Sequence, residues 1–286
     1  MTPNYLKRLF SRSARKAAAI HGTGLVMSVP DRNAAGMTRT QEAFLQWNSE
    51  RLGISLEESK RRYAASWAVF PGGHSGTEFG KFNGAAHEVF RVFFDDTPTE
   101  VFDAYRYHGP MHFLVMLTYP EPEWAATDLI VKELTQRSEV SILDFGCGLA
   151  QQSRTLAVYL RDRGITVRLA LADIPTLRQE FLIWWGKRMD IPTTFLPCTL
   201  ATPIPELPVC DLCQATEFFE HVHDPAHYFD RIDAKLASGG LLITGIMDHH
   251  ADFMHVSPQL GPLRARIAER GYEELVINRV LRKPRD

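Results

Sequence analysis

The stretch Ser141-Ile-Leu-Asp-Phe-Gly-Cys-Gly-Leu-Ala150 constrains the fold of this chain more than any other. A short apolar run ends in an acid, turns through two glycines and opens into the helical pattern of Leu149–Arg161. Glycines at such a turn let the backbone approach a ligand closely, and the helix N-terminus behind it favours a negative group such as a carboxylate. In open α/β sheets the ligand lies outside the carboxyl ends of the strands, where the strand order reverses. A dinucleotide fingerprint needs a third small residue at position 151, which here is Gln151. An acid at Asp144, just ahead of the loop, suits a cationic ligand better than a pyrophosphate.

Around this loop the pattern alternates. Strands are expected at Val140–Phe145, Thr166–Ala172, Thr194–Cys198, Cys210–Ala215 and Leu241–Ile246, with one final strand at Glu274–Leu281. Helices are expected at Leu149–Arg161, Pro175–Arg188, Pro225–Ala237 and Pro258–Arg270. Short apolar strands alternating with helices predict a Rossmann-like α/β fold, a mostly parallel sheet with helices on both faces. Before residue 137 the signals are helical. Ser55-Leu-Glu-Glu58 and Thr97-Pro-Thr-Glu100 read as capping boxes for helices at Leu56–Phe70 and Pro98–Tyr107. Further helices are expected at Thr40–Leu52 and Glu123–Thr135, and Met111–Leu117 reads as buried. The chain thus divides into a helical N-terminal cap that supplies an acceptor pocket, 1–137, and a ligand-binding domain, 138–286. Residues 1–35 are either packed on the cap or flexible. The loop Pro71–Gly80 lacks the ending of a phosphate-binding loop and reads as a connection.

With a net charge of -2 over 286 residues, no general nucleic-acid binder is expected. No apolar run is long enough to span a membrane. The basic segment Lys7–Lys16 reads as an amphipathic helix, not a secretory signal. Cys147, Cys198, Cys210 and Cys213 fit buried thiols in a reducing cytoplasm. Cys210 and Cys213, three apart on a strand, are expected on opposite faces, which excludes a zinc knuckle.

Three further landmarks follow the glycine loop. Asp173 ends the second strand, where an acid can accept from both ribose hydroxyls. Thr216-Glu-Phe-Phe-Glu-His-Val-His-Asp-Pro225 follows the fourth, and Gly239-Gly-Leu-Leu242 leads into the fifth. In this order the landmarks resemble those of the class I S-adenosylmethionine-dependent methyltransferases. The resemblance implies that Asp144, Gly146, Cys147 and Gly148 line the methionine part of S-adenosylmethionine. It implies that Asp173 holds the ribose and that Gln214 to Glu217 flank the sulfonium. Where the family often has an acid that reads the adenine amine, this chain has Cys198-Thr-Leu-Ala201, which leaves backbone or Thr199 for that task. The final antiparallel hairpin usual in the family is also short here.

Methyl transfer is a one-step displacement that asks mainly for alignment and exclusion of water, with a base where the acceptor is a hydroxyl. Glu217, Glu220 and His221 gather two carboxylates and an imidazole at a strand–helix junction, and Asp248, His249, His250 and His255 follow the fifth strand. If the fourth and fifth strands are neighbours, both groups can face one pocket. His221, His249 and His250 are the candidate bases. Glu217, Glu220, His221 and His255 are candidate ligands for a divalent metal such as Mg²⁺ or Zn²⁺. This set resembles the E-x-x-E-H metal site of ubiquinone-pathway catechol and small-RNA methyltransferases, although metal-free relatives carry the same letters. Tyr105, Tyr107, His108, His112 and Phe113, with Trp47, Trp67, Phe70, Phe79 and Phe82, read mainly as core and partly as lining for a flat or partly apolar small-molecule acceptor. The expected activity is transfer of a methyl group to that acceptor, with oxygen favoured over nitrogen or carbon. The alternatives are a nicotinamide-dependent oxidoreductase on a related sheet and a non-catalytic S-adenosylmethionine-binding module.

Overall fold

A computed structural model describes residues 37–69, 127–249 and 255–285. The basic N-terminal segment, the loop 71–80, the segments 98–107 and 111–117, His250 and the aromatic and imidazole residues proposed at 70–113 lie outside the described residues, as does the side chain of Trp67. The described chain falls into two compact units, one containing 37–69 and 127–129 and the other 130–249 and 255–285.

In the first unit, α1 (Arg39–Leu52) and α2 (Leu56–Val69) form a helical hairpin. Thr38 closes a capping box, accepting from Gln41 N at 3.1 Å and donating its own N–H to Gln41 Oε1 at 2.8 Å. Gly53, at φ 63°, ends α1. Ser55 caps α2 through Glu58 N, but the expected return bond from Glu58 is replaced by ion pairs with Arg61 and Arg62. The Arg61 hydrogen bond, then that of Arg62, draws the half-buried Glu58 carboxyl down to about 2. Phe44, Leu45 and Trp47 are buried.

The second unit begins within α3 (Thr127–Leu134). It runs through β1 (Glu139–Phe145), α4 (Gln151–Arg161), β2 (Thr166–Asp173), α5 (Leu177–Arg188), β3 (Thr193–Pro197) and β4 (Cys210–Ala215). After a 3₁₀ turn at Phe219–His221 come α6 (Pro225–Asp233), β5 (Leu236–Thr244), α7 (Gly261–Glu269), β6 (Glu273–Val276) and β7 (Val280–Arg282). The sheet order is β3-β2-β1-β4-β5-β7-β6. The first five strands in that order are mutually parallel, and β7 lies antiparallel to both β5 and β6. The order reverses between β1 and β4, so the carboxyl ends of these two strands define the ligand edge. Phe145, Phe219 and Phe229 are fully buried in the core on one side of the sheet.

Three features depart from expectation. First, α6 stops at Asp233 and β5 already starts at Leu236, before the glycine turn. Lys283 Nζ donates to the carbonyls of Asp233 and Leu236 at 2.5 and 2.9 Å, satisfying the groups a longer helix would have bonded internally. Second, the single final strand is a hairpin. Asn278 takes the left-handed conformation at φ 57°, turning the chain between β6 and β7. Third, the β4–β5 register shifts between Cys210 and Leu212, and Cys210 and Cys213 enter the same core. Burial pushes the Cys210 thiol up to about 12 and that of Cys213 further, so both remain neutral. All four cysteines are buried and unbridged.

Candidate active site

The loop leaving β1 is shaped by three residues at positive φ: Gly146 at 70°, Gly148 at 54° and Ala150 at 49°. Gly146 and Cys147 N–H groups both reach Ala172 O, at 2.8 and 3.3 Å, which folds the loop across the end of β2. Asp173 fastens it there. Its Oδ2 accepts from Gly148 N at 2.7 Å, and its Oδ1 accepts from Ile174 N at 2.6 Å, with Arg178 at 3.6 Å. The buried Cys147 Sγ lies 3.9 Å from the same carboxylate, and burial holds its thiol neutral. A methyl group at Gly146 would sit 2.5 Å from Phe218 Cδ2, so Phe218 from the turn after β4 forms the floor of the loop.

Asp144 is 3% exposed and its Oδ2 has no hydrogen-bond partner. Burial raises its carboxyl to about 7, a Ser153 hydrogen bond opposes this, and the nearby Asp173 charge adds to it. The Ser153 hydroxyl has one proton to share between Asp144 and Gln214 Oε1, which lies 3.1 Å away. Gln214 also donates to Gln152 Oε1 at 2.7 Å, so its amide is held from two sides. Thr199 accepts from Thr202 N through its Oγ1 at 3.1 Å and so caps its own turn.

After β4, Glu217 turns the chain at φ 50°. It is exposed, and its Oε1 would lie 3.6 Å from a methyl group added at Gly245. Glu220 is fully buried, and neither of its carboxylate oxygens has a hydrogen-bond partner. Burial first, and the Glu217 charge after it, raise the Glu220 carboxyl to about 7 against an opposing backbone hydrogen bond. His221 Nε2 stands 3.8 Å and His249 Nε2 3.7 Å from Glu220 Oε1. The His255 ring lies 4.9 Å from that of His221 and 5.0 Å from that of His249. The chain returns to this point because Ser257 N donates to Glu220 O at 3.0 Å and His249 N to Pro258 O at 2.8 Å.

The two groups read from the sequence therefore meet, with differences in membership. Glu220, His221 and His255 can place one ligand atom each within 4.8 Å of one another, and Glu217 stands outside that set. Asp248 turns to Arg264 and Leu260 N. His223 and His227 are exposed on the turn and on α6. Two contributors were not read from the sequence. Phe218 had no local signal, since its partner Gly146 is distant in the chain. Ser153 had one, a hydroxyl in the first turn after the glycine loop.

In sheet order and closing hairpin the fold is Rossmann-like α/β, a mostly parallel sheet ended by two antiparallel strands. No protein-family model and no curated protein matches the chain. Among solved structures, an O-methyltransferase family protein from Burkholderia thailandensis aligns over 100% of this chain and 99% of its own, at 12% identity and a TM-score of 0.45. The [4+2]-cyclase SpnF aligns over 66% and 97%, at 17% identity and a TM-score of 0.46. For a Galdieria sulphuraria protein assigned as a sarcosine dimethylglycine methyltransferase, the match spans 46% of this chain and only 47% of that one, at 18% identity and a TM-score of 0.35. At such identities and scores these likenesses assign no activity. Among the described residues no helix is long and apolar enough to cross a membrane.

Proposed function

We propose that this protein transfers a methyl group from S-adenosylmethionine to a small-molecule acceptor, with an oxygen as the accepting atom. The observation that carries this reading is the unpartnered, buried Asp144 oxygen at the root of the glycine loop. A buried carboxylate is stabilised by a cation. The ammonium and sulfonium of S-adenosylmethionine meet that need, whereas the pyrophosphate of a nicotinamide dinucleotide would oppose it. When bound, S-adenosylmethionine supplies a methyl carbon already activated by positive sulfur. The residues of the chain bind and align. The loop Gly146–Gly148 receives the methionine part, and Asp173 has lone pairs left for the ribose hydroxyls. Gln214, fixed by Ser153 and Gln152, forms a rigid wall beside the sulfur, with Glu217 at its rim. Cys147 adds a neutral, buried side chain to the loop.

On the acceptor side, an imidazole of His221 or His249 takes the proton of the acceptor hydroxyl, and the Glu220 carboxylate beside both rings steadies the resulting charge. The same residues fit a divalent cation. Two unpartnered carboxylate oxygens and two imidazoles match the mixed oxygen and nitrogen preference of Zn²⁺ or Mg²⁺. Glu220, His221 and His255 would hold it, and it would add Lewis acidity there.

Titration calorimetry with S-adenosylmethionine and S-adenosylhomocysteine tests the main reading. Micromolar binding is expected, weakened at least tenfold or so in Asp173→Ala. A folded protein that takes up neither ligand, or takes up NADH instead, would sink it. Binding without turnover over a broad acceptor panel would leave a cofactor-binding module. For the metal, Zn²⁺ or Mn²⁺ titration of the apoprotein should give one site, weakened about tenfold to a hundredfold by Glu220→Gln. No uptake by the wild type would leave the imidazoles to act alone.

A further inference from the structure

We propose that Arg154 is a positioning residue for the ligand loop: its side chain holds the peptide between Leu149 and Ala150, and so keeps Ala150 in a left-handed conformation that alanine disfavours. The proposal rests on the S-adenosylmethionine reading above for its ligand, and concerns what shapes the loop before a ligand arrives. Of the three residues at positive φ in the loop, Gly146, Gly148 and Ala150, only Ala150 carries a side chain, and it stands at 49°. Both polar groups of the peptide ahead of it are engaged. Ala150 N donates to Cys147 O at 2.6 Å, and Leu149 O accepts from Arg154 Nε at 2.8 Å. On the other side of the same Cα, Ala150 O accepts from Arg154 N at 2.8 Å. Arg154 thus grips both peptides that flank one Cα, and since each peptide is planar, this fixes φ and ψ of Ala150 together.

The guanidinium is itself held. Arg154 is buried, and its terminal carbon lies 5.4 Å from the ring centroid of Phe181 and 5.1 Å from that of Trp185, both buried on α5. Those two residues are one turn apart and face the same way. A planar cation over two aromatic faces keeps a fixed orientation, which a flexible ammonium would not. The α5 side of the fold therefore meets the loop at consecutive backbone groups. Arg154, backed by the α5 rings, holds the Leu149 carbonyl, while Asp173, 3.6 Å from Arg178 of α5, holds the Gly148 N–H. Leu149 is fully buried, so its carbonyl requires a donor. Removal of the guanidinium withdraws that donor and lets Ala150 relax toward the right-handed region.

The test is a double-mutant cycle of Arg154→Met and Ala150→Gly on the full chain, read in two ways. The first is amide hydrogen exchange without ligand. In Arg154→Met the Cys147 and Gly148 amides should exchange at least tenfold or so faster, while those of Ile142 and Leu143 within β1 serve as the control for global opening. The second is calorimetry with S-adenosylhomocysteine, whose affinity should fall about tenfold in Arg154→Met. Glycine adopts the left-handed conformation without help, so Ala150→Gly should change affinity by less than about threefold in the wild type yet restore most of the loss in Arg154→Met. A residue that only supports α4 would give no such rescue. If Arg154→Met does not fold, Arg154→Lys completes the same cycle, since it keeps the charge and lacks the planar fork. Loop amides that exchange at the wild-type rate in the Arg154 variant overturn the proposal, as does a loss that Ala150→Gly leaves untouched. Rescued exchange in a protein that binds no S-adenosylhomocysteine would remove the methyltransferase reading and leave the role of Arg154 standing.

Discussion

At pH 8 an Asp144→Asn variant should be more stable than the wild type by about 3 kcal/mol, yet bind S-adenosylmethionine at least tenfold or so more weakly. The sign follows from burial. The folded protein holds the Asp144 carboxyl at about 7, above the unfolded value of 3.8, so it binds that proton more tightly than the unfolded chain does. The stabilising contribution of this group is complete below the unfolded value and is lost as pH rises through the folded one. Asparagine cannot ionise, and its advantage should be large at pH 8 and mostly gone at pH 4. The ligand reverses the balance, because its cationic end compensates the ionised carboxylate and has nothing to compensate in the variant. Urea titrations at the two pH values, with and without ligand, provide the measurement. A wild type and variant with parallel pH profiles would contradict the assignment of Asp144. Glu220 is raised in the same direction, so the double variant Asp144→Asn/Glu220→Gln should flatten the profile further.

Gly146→Ala should cost about 3 kcal/mol of stability and abolish measurable cofactor binding, because two separate penalties coincide at one atom. The backbone there is at φ 70°, where an L side chain is strained. The added carbon would also meet the Phe218 ring at 2.5 Å, closer than carbon atoms approach. A double-mutant cycle separates them. Phe218→Ala removes the collision and leaves the strain, so the pair Gly146→Ala/Phe218→Ala should lose less than the two single losses added together. Strict additivity would show that Phe218 does not bear on the loop. Phe218 packs on Phe145 and Tyr228 as well, with ring centroids 4.8 and 5.4 Å apart, so its own truncation will cost stability.

The glycine loop, the strand before it and the acid ending β2 were legible because each is encoded by contiguous residues whose types answer a local demand. The parallel sheet and the neighbouring of β4 and β5 answer the alternation of strands and helices, whereas the full order β3-β2-β1-β4-β5 is set by pairing between strands distant in sequence. Where reading failed, the cause lay far along the chain or in a local break of period. The start of β5 at Leu236 depends on Lys283, which no pattern near residue 236 announces. The shared core side of Cys210 and Cys213 depends on a register shift that defeats alternation. Asn278 was a turn residue hidden in a run that otherwise reads as one strand. At the site, the types needed around Glu220 were visible, but not that Asp248 would be drawn away by Arg264 while His249 and His255 close on the carboxylate. Asp173 was legible as an acid at a strand end. That it fastens the glycine loop through Gly148 N–H requires the fold itself.

The antiparallel docking of β7 against β5 has a consequence for the order in which the molecule can be assembled. As a nascent chain leaves the ribosome, β1, the glycine loop, β2 and β3 emerge early and can pair with one another at short sequence separation. β5 gains its outer neighbour only when Val280–Arg282 has been made, and the end of α6 waits for Lys283. His249 and His255 hang from the far end of β5 and the segment after it. The loop side of the pocket is therefore in place before the side bearing Glu220 and its imidazoles is secured, and a polypeptide stalled near residue 245 would carry a half-built pocket with an unprotected strand edge.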